Sequence, residues 1–223
     1  DKNVLKFTNN KDPYLAYPSA SALDINPSFT GNGKGIRLNY LYHNQWAELS
    51  DNDNFVTQVI SIDGYVKALK GGVGVVVTND VMGHKKFSSQ AISFIYSPKF
   101  TLFGKTTIEP SVKYSLNKKS ISWNQLKNDE LVDARNGLTN AVIANNPENV
   151  AASNSSFSSF GTGLLLNTSK VYIGISYDYW GNPNYNLDGF SQQINVPGKF
   201  SAQFGGSIVP IKDKDFTLSP SVQ

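Results

Sequence analysis

The chain has 223 residues, a net charge of +3 and no cysteine, which excludes a disulfide framework and a thiolate metal site. Only 17% of the residues are charged, against ~25% in a typical soluble domain, and no stripe of lysine or arginine predicts binding to nucleic acid. No apolar run approaches the ~18 residues of a transmembrane helix, and the first ten residues lack the apolar region of a signal peptide. We therefore expect an exported protein whose sequence begins after a cleaved signal.

Residues 1–33 are predicted to form an irregular periplasmic segment. Repeated X-Pro steps favour extended or turn backbone and oppose a helix. We expect this segment to end in a plug, or in a contact with the rim of the strands that follow. Asn26, Pro27 and Gly31 are predicted to fix how it meets those strands, or a partner exposed to the periplasm.

The first predicted strand, at about residues 35–46, has two chemically different faces. Its apolar face carries Ile36, Leu38, Tyr40 and Tyr42. Its other face carries Arg37, Asn39 and His43, with Leu41 as an exception. Alternation with a period of two predicts a β-strand, and about ten residues suit a tilted strand that crosses a bilayer, whereas soluble strands average ~5–6 residues. The strand ends in Asn44, Gln45 and Trp46. Either Trp46 lies at the membrane interface before a polar loop, or the three residues anchor that loop.

The same unit recurs along the chain. Further strands are predicted at about residues 54–66, 71–80, 87–97, 105–117, 157–167, 170–180 and 198–209. The strand at 105–117 has the clearest pattern, because Glu109 and Lys113 oppose a face of apolar side chains. A ninth strand begins near Phe216 and is cut by the chain end, so we expect the complete protein to continue past Gln223.

The connections alternate between short turns and long loops. The long loops, at about 117–156 and 181–197, are predicted to be extracellular, and the short turns periplasmic. Residues 34–223 are therefore predicted to form an all-β, antiparallel, up-and-down transmembrane barrel in the outer membrane, with its N-terminus in the periplasm and lipid against its apolar face. Arg37, Asn39, Glu109 and Lys113 would face the lumen, which is either an open channel or a sealed, filled interior. A soluble β-sandwich or lipocalin-like barrel, with the apolar face inward, is the alternative.

No catalytic or metal centre is predicted. An outer-membrane phospholipase needs a serine beside a histidine base, and the chain has only His43 and His84, one on a strand and one in a loop. Two separate histidines also make a poor metal site. The run Asp51–Asn54 has oxygen ligands suited to Ca²⁺, but a solvated turn is the preferred interpretation. We predict no cofactor and no enzymatic activity.

Several motifs, in order, resemble those of the PorP/SprF family of Bacteroidetes outer-membrane proteins. In the segment Tyr42–Trp46, His43 stands where the family has arginine. Within these motifs, Asn79, Asp80 and Gly83 match the family's Asn-Asp-x-x-Gly turn. The matching segments are Asp12-Pro13, Ile25–Gly31, Tyr42–Trp46, Gly72–Gly74, Asn79–Gly83 and Phe160–Leu164.

The resemblance implies a role in type IX secretion and gliding motility. It implies partnership with the type IX translocon and, for many family members, recognition of the C-terminal domain of one secreted adhesin that is held at the cell surface. Others connect to the periplasmic motor and to peptidoglycan-binding components. A general porin or solute-uptake channel is the alternative function.

Overall fold

The protein is an almost entirely antiparallel β structure. The computed structural model describes residues 22–33, 35–45, 55–82, 87–104, 106–121, 132–133, 137–138, 153–168, 171–186, 194–206 and 221–222. A short helix, α1 (Ala22–Ile25), and a 3₁₀ turn (Pro27–Phe29) come first, and a second 3₁₀ turn spans Lys67–Leu69. The strands are β1 (Arg37–Gln45), β2 (Phe55–Val66), β3 (Gly71–Met82), β4 (Phe87–Pro98), β5 (Phe100–Phe103), β6 (Thr106–Ile121), β7 (Val132–Asp133), β8 (Gly137–Leu138), β9 (Ser153–Asn167), β10 (Val171–Asp178), β11 (Asn184–Tyr185), β12 (Ile194–Asn195), β13 (Lys199–Gly206) and β14 (Ser221–Val222).

One strongly curled sheet, shaped like half a barrel, contains the long strands. Its order is β1-β2-β3-β4-β6-β9-β10-β13-β14, with β5 paired to β6, while β7–β8 and β11–β12 form separate two-stranded ribbons. The long strands are neighbours in the sheet in the order in which they follow in the chain. The predicted antiparallel, up-and-down topology is therefore confirmed.

The two faces of the sheet have inverted polarity relative to a soluble protein. Outward side chains such as Ile60, Val112 and Ile173 are 48%, 56% and 52% exposed. Inward side chains such as Asp63 and Glu109 are each 3% exposed. A surface of this kind needs lipid, because isolated apolar side chains are common on soluble proteins but a continuous apolar face is not. The alternative of a soluble barrel with an apolar interior is therefore wrong. No helix in the described part of the chain is both long and apolar enough to cross a membrane.

A small apolar cluster inside the curl explains why Leu41 breaks the pattern of the first strand. Leu23, Val59, Val76 and Ile95 are 2–4% exposed and pack together, and Leu41 and Phe29 pack against them. Leu41 is therefore an inward residue that meets an apolar patch, while its inward neighbours on β1 are polar.

The strand bounds differ from the sequence prediction mainly where the strands are polar. β6 continues to Ile121 and β9 begins at Ser153, so both enter the predicted loop at 117–156. The ribbon β11–β12 lies within the predicted loop at 181–197. Serine, asparagine and lysine have weak strand propensity, so pairing with a neighbouring strand, and not local sequence, extends these elements.

Two further predictions about local structure were wrong. The short connection predicted between the strands at 87–97 and 105–117 contains β5, which pairs with the start of β6 through a register shift. The segment predicted to be irregular contains helix α1. Both elements are only four residues long, too short to produce a periodic signal in the sequence.

A polar row crosses the outward face where the apolar band ends. The strand register aligns Gln58 with Asn79, Asn79 with Gln90, Gln90 with Lys118, and Lys118 with Ser156. Asn79 donates a hydrogen bond to Gln58 and accepts one from Gln90, at 3.5 and 3.3 Å. On β2, β3, β4 and β6, the next outward residue toward the short connections is apolar. These residues are Ile60, Val77, Ile92 and Leu116. The row therefore marks the edge of the lipid-facing band.

Lysine at the middle of this band should destabilise the fold much more than lysine in the polar row. We expect Val112→Lys to lower the free energy of unfolding by about 2–4 kcal/mol, and Gln90→Lys to change it by at most about 1 kcal/mol. Urea titration of protein folded into phospholipid vesicles, followed by tryptophan fluorescence, measures both. Equal losses for the two variants would contradict the assignment of the outward face to lipid.

Candidate functional site

The candidate site is the N-terminal segment that runs inside the curled sheet. We call residues 22–33 the lumen segment. Asn26, Ser28 and Thr30 in this segment have no exposed surface. The segment contacts strands from β1 at one end of the sheet to β13 near the other, and a chain this short reaches them only because the sheet wraps around it.

The Asn-Pro pair in this segment sets its local shape. Asn26 caps the 3₁₀ turn, because its Oδ1 accepts a hydrogen bond from the Ser28 N–H at 2.9 Å. Pro27 occupies the first position of that turn, where no backbone N–H is needed. The Nδ2 of Asn26 donates to Gln203 Oε1 at 2.9 Å and to the Ile175 carbonyl at 3.3 Å. One asparagine therefore shapes the turn and joins it to β10 and β13.

Serine hydroxyls attach the middle of the segment to the sheet. The Ser28 and Ser111 hydroxyl oxygens lie 2.8 Å apart, and Ser176 Oγ donates to the Ile25 carbonyl at 2.7 Å. The Ser28 carbonyl accepts hydrogen bonds from Ser97 Oγ and Lys99 Nζ. These contacts satisfy backbone groups that would otherwise be buried without a partner, at a cost of about 1–3 kcal/mol each.

A buried carboxylate holds the end of the segment. Asp63, on β2, accepts a 2.7 Å hydrogen bond from the Gly31 N–H. It also accepts two hydrogen bonds from Arg37, from Nε at 2.9 Å and from Nη2 at 3.0 Å, and Nη2 additionally donates to the Phe29 carbonyl. The Asp63 side chain is 1% exposed and that of Arg37 is 33% exposed. This bidentate pair therefore couples the lumen segment to β1 and β2.

A second ion pair lies at the end of the sheet that carries the short connections. Lys99 follows β4, and its Nζ lies 2.6 Å from Glu109 Oε2 and also donates to Asn32 of the lumen segment. Burial lowers the pKa of the Lys99 ammonium, and the Glu109 carboxylate opposes that shift.

A third ion pair crosses the sheet further from the short connections. Lys113 on β6 and Asp178 on β10 approach to 2.8 Å, and β9 runs between these two strands. Gly161 lies on β9 beneath the pair, and a Cβ there would collide with the Asp178 carboxylate. The pair therefore requires a residue without a side chain at position 161.

Close approach of backbone to backbone explains the other glycine motif. A Cβ on Gly72 would collide with the Thr30 carbonyl and with Gly31. Gly31 has φ +73°, a conformation that L side chains rarely adopt, and it lies directly against Gly72. Gly163 on β9 likewise leaves room for Asn26 and Ser28. The glycines at 72 and 163 thus form the surface on which the lumen segment lies.

The structure brings together one group of the predicted site residues. Asn26, Pro27 and Gly31 lie in the lumen segment, and Arg37 and Glu109 are on the inward face that surrounds it. On the same face, Asn39 donates to Ser61 and Lys113 pairs with Asp178.

The other predicted site residues that the structure describes lie at the opposite end of the strands. Asn44 is exposed and Gln45 half-buried at the end of β1. Asn79 belongs to the outward polar row, whereas Asp80 points inward and accepts a hydrogen bond from Thr57 at 2.8 Å. Trp46, Gly83 and His84 lie outside the described residues, as do the acidic residues at 51–54.

Several residues of this site were not predicted from the sequence. Asp63, Lys99, Asp178 and Gln203 supply charged or amide partners, and Gly72 supplies space. Asp63, Asp178 and Gln203 occupy inward positions of their strands, so strict alternation along each strand would have predicted them as lumen residues. Nothing in the sequence indicates which partner each one meets.

Comparisons with known proteins give one match. The model of a family described as type IX secretion system membrane protein PorP/SprF matches residues 8–223. No curated protein and no solved structure matches the chain.

Adding a methyl group at Gly72 should displace the lumen segment. In Gly72→Ala we expect amide hydrogen exchange in peptides covering residues 22–33 to accelerate at least ~10-fold, equivalent to ~1.4 kcal/mol of local stability. Gly35→Ala is the matched control, because no atom lies within 4 Å of the position of a Cβ there. Unchanged exchange in Gly72→Ala would show that the segment is held without this contact.

The Arg37–Asp63 pair should contribute a measurable coupling energy. A double-mutant cycle with Arg37→Gln and Asp63→Asn should give a coupling of about 1–3 kcal/mol in the free energy of unfolding, because one partner is fully buried and the geometry is bidentate. Urea titration in vesicles of the two single variants and the double variant provides the values. Additive losses, within about 0.3 kcal/mol, would contradict the proposed role of the pair.

Proposed function

Because the chain belongs to the PorP/SprF family of type IX secretion system membrane proteins, we propose that it binds the C-terminal domain of a secreted adhesin and supports its export or attachment at the cell surface. The protein is an outer-membrane component associated with type IX secretion. The family is a secretion family and not an enzyme family. The proposal therefore concerns a protein partner and no chemical reaction.

Apart from membership of the family, the observation that supports this proposal is that the lumen segment lies inside the curled sheet. The lumen segment lies against the inward face between β1 and β13, and Asn26, Ser28 and Gly31 are hydrogen-bonded to the surrounding strands. A diffusion channel needs a continuous polar path for solute, whereas a segment held by buried ion pairs obstructs that path. This argues for a docking protein over the alternative of a porin.

The long connections supply the surface on which the partner would dock. The β6–β9 hairpin continues past the outward polar row to Ile121 and Ser153, so its last residues stand clear of the lipid-facing band. Paired strands that project in this way offer edges and polar side chains to a partner strand. We place this end on the extracellular side, since long loops of outer-membrane barrels face outward.

The end of the sheet that carries the short connections suits contacts with other components of the secretion system. The lumen segment reaches the short connections at Asn32, whose side chain accepts a hydrogen bond from Lys99. We place this end in the periplasm, where translocon, motor or peptidoglycan-binding components are the candidate partners.

A purification experiment separates the two candidate functions. Wild-type protein extracted from outer membranes in mild detergent should co-purify with a secreted adhesin, identified by mass spectrometry, and should give no steady conductance in planar bilayers. Gly72→Ala, with a displaced lumen segment, should conduct more than Gly35→Ala. Steady conductance of the wild type without a co-purifying partner would reverse the assignment in favour of a channel.

A further inference from the structure

The outward face carries a groove whose chemistry changes along its length. At the level of the polar row, a groove of about 830 Å³ is lined by Asn79, Gln90, Lys118, Ser156 and Ser158. On the side of the lipid-facing band, Ile92 and Leu116 line the same groove. The groove is therefore polar at its outer end and apolar at its inner end.

A second groove continues the first into the lipid-facing band. It has a volume of about 650 Å³, and Val73, Val75, Phe94 and Val112 contribute to its lining. Tyr114 lines both grooves, so they adjoin at this residue. Tyr114 also packs against Phe160, at 5.0 Å between ring centroids, which forms one wall of the lower groove.

Lys118 gives the upper groove its charge. Among the described residues this lysine has no hydrogen-bond or ion-pair partner, whereas Lys99 and Lys113 are both paired. It lies on the outward face at the boundary of the lipid band, between Gln90 and Ser156 in the register. An unpaired ammonium at the level of lipid headgroups attracts a phosphate.

Among the described residues that line this groove, the polar neighbours of Lys118 are amides and hydroxyls. Gln90 and Asn79 each offer both donors and acceptors, and Ser156 and Ser158 add hydroxyls. Such groups suit the hydroxyls of a sugar. The combination of one cation, several neutral hydrogen-bonding groups and an apolar groove below matches a headgroup made of a phosphorylated sugar with acyl chains.

From this arrangement we propose that the outward face of β3, β4, β6 and β9 is a binding site for one phosphorylated glycolipid of the membrane. Lys118 binds its phosphate, the amides of Asn79 and Gln90 bind its sugar, and its acyl chains occupy the groove beside Val73, Phe94 and Val112. The lipid is thus a structural ligand of the barrel wall. The site does not depend on the adhesin, since it involves neither the lumen segment nor the long connections.

Titration of the detergent-solubilised protein, monitored by native mass spectrometry, tests the proposal. The probes are phosphorylated lipid A, the same lipid after enzymatic removal of phosphate, and phosphatidylglycerol. Wild-type protein should bind phosphorylated lipid A with the highest affinity, and Lys118→Gln should weaken that binding by about tenfold. Lys118→Arg should retain it, because the cation is kept.

Lys67→Gln is the matched control, because Lys67 is also an exposed lysine but lies on the 3₁₀ turn at the opposite end of the strands. It should bind lipid A as the wild type does. Inorganic phosphate at millimolar concentration should not displace the lipid, since the apolar groove contributes to binding. Equal binding of the dephosphorylated lipid, equal binding of phosphatidylglycerol, displacement by phosphate alone, or wild-type affinity in Lys118→Gln would each overturn the proposal.

Discussion

The burial of polar side chains on the inward face of this sheet is the constraint that organises the molecule. Lipid on the outside requires an apolar outer face, so alternation along each strand puts the polar side chains inside. A buried carboxylate or carbonyl without a partner costs several kcal/mol. The lumen segment supplies partners to Asp63, Ser111, Ser176 and Gln203, while other inward residues, such as Ser93 and Ser115, pair across neighbouring strands.

The lumen segment and the inward face therefore depend on each other. Asp63 needs the Gly31 N–H and the Arg37 guanidinium, and the segment in turn needs acceptors and donors for its own backbone. Gly72 allows the two backbones to meet, and Gly163 leaves room for the side chains of Asn26 and Ser28. The segment is therefore held to the sheet at several points along its length.

The side chains of the outward face are determined by contact with the membrane and not by contact with the lumen segment. The polar row from Gln58 to Ser156 shows where lipid tails give way to headgroups, and the two adjoining grooves lie across that boundary. Among the residues that the structure describes, Lys118 has no partner whereas Lys113 is paired, because one lies on the outward face and the other on the inward face. The strand register thus assigns different roles to lysines five residues apart.

The sequence alone determined the class of fold and the direction in which each strand faces. A period of two over strands such as 105–117 is a local property, set by the alternation of side chains, and Glu109 and Lys113 could be assigned to the interior from it. Only the tertiary structure decided that Glu109 meets Lys99, that Lys113 meets Asp178 across Gly161, and that Asn26 reaches Gln203. These contacts join residues distant in the chain, and they depend on how tightly the sheet curls and on how the strands are staggered, which no local pattern of residues encodes.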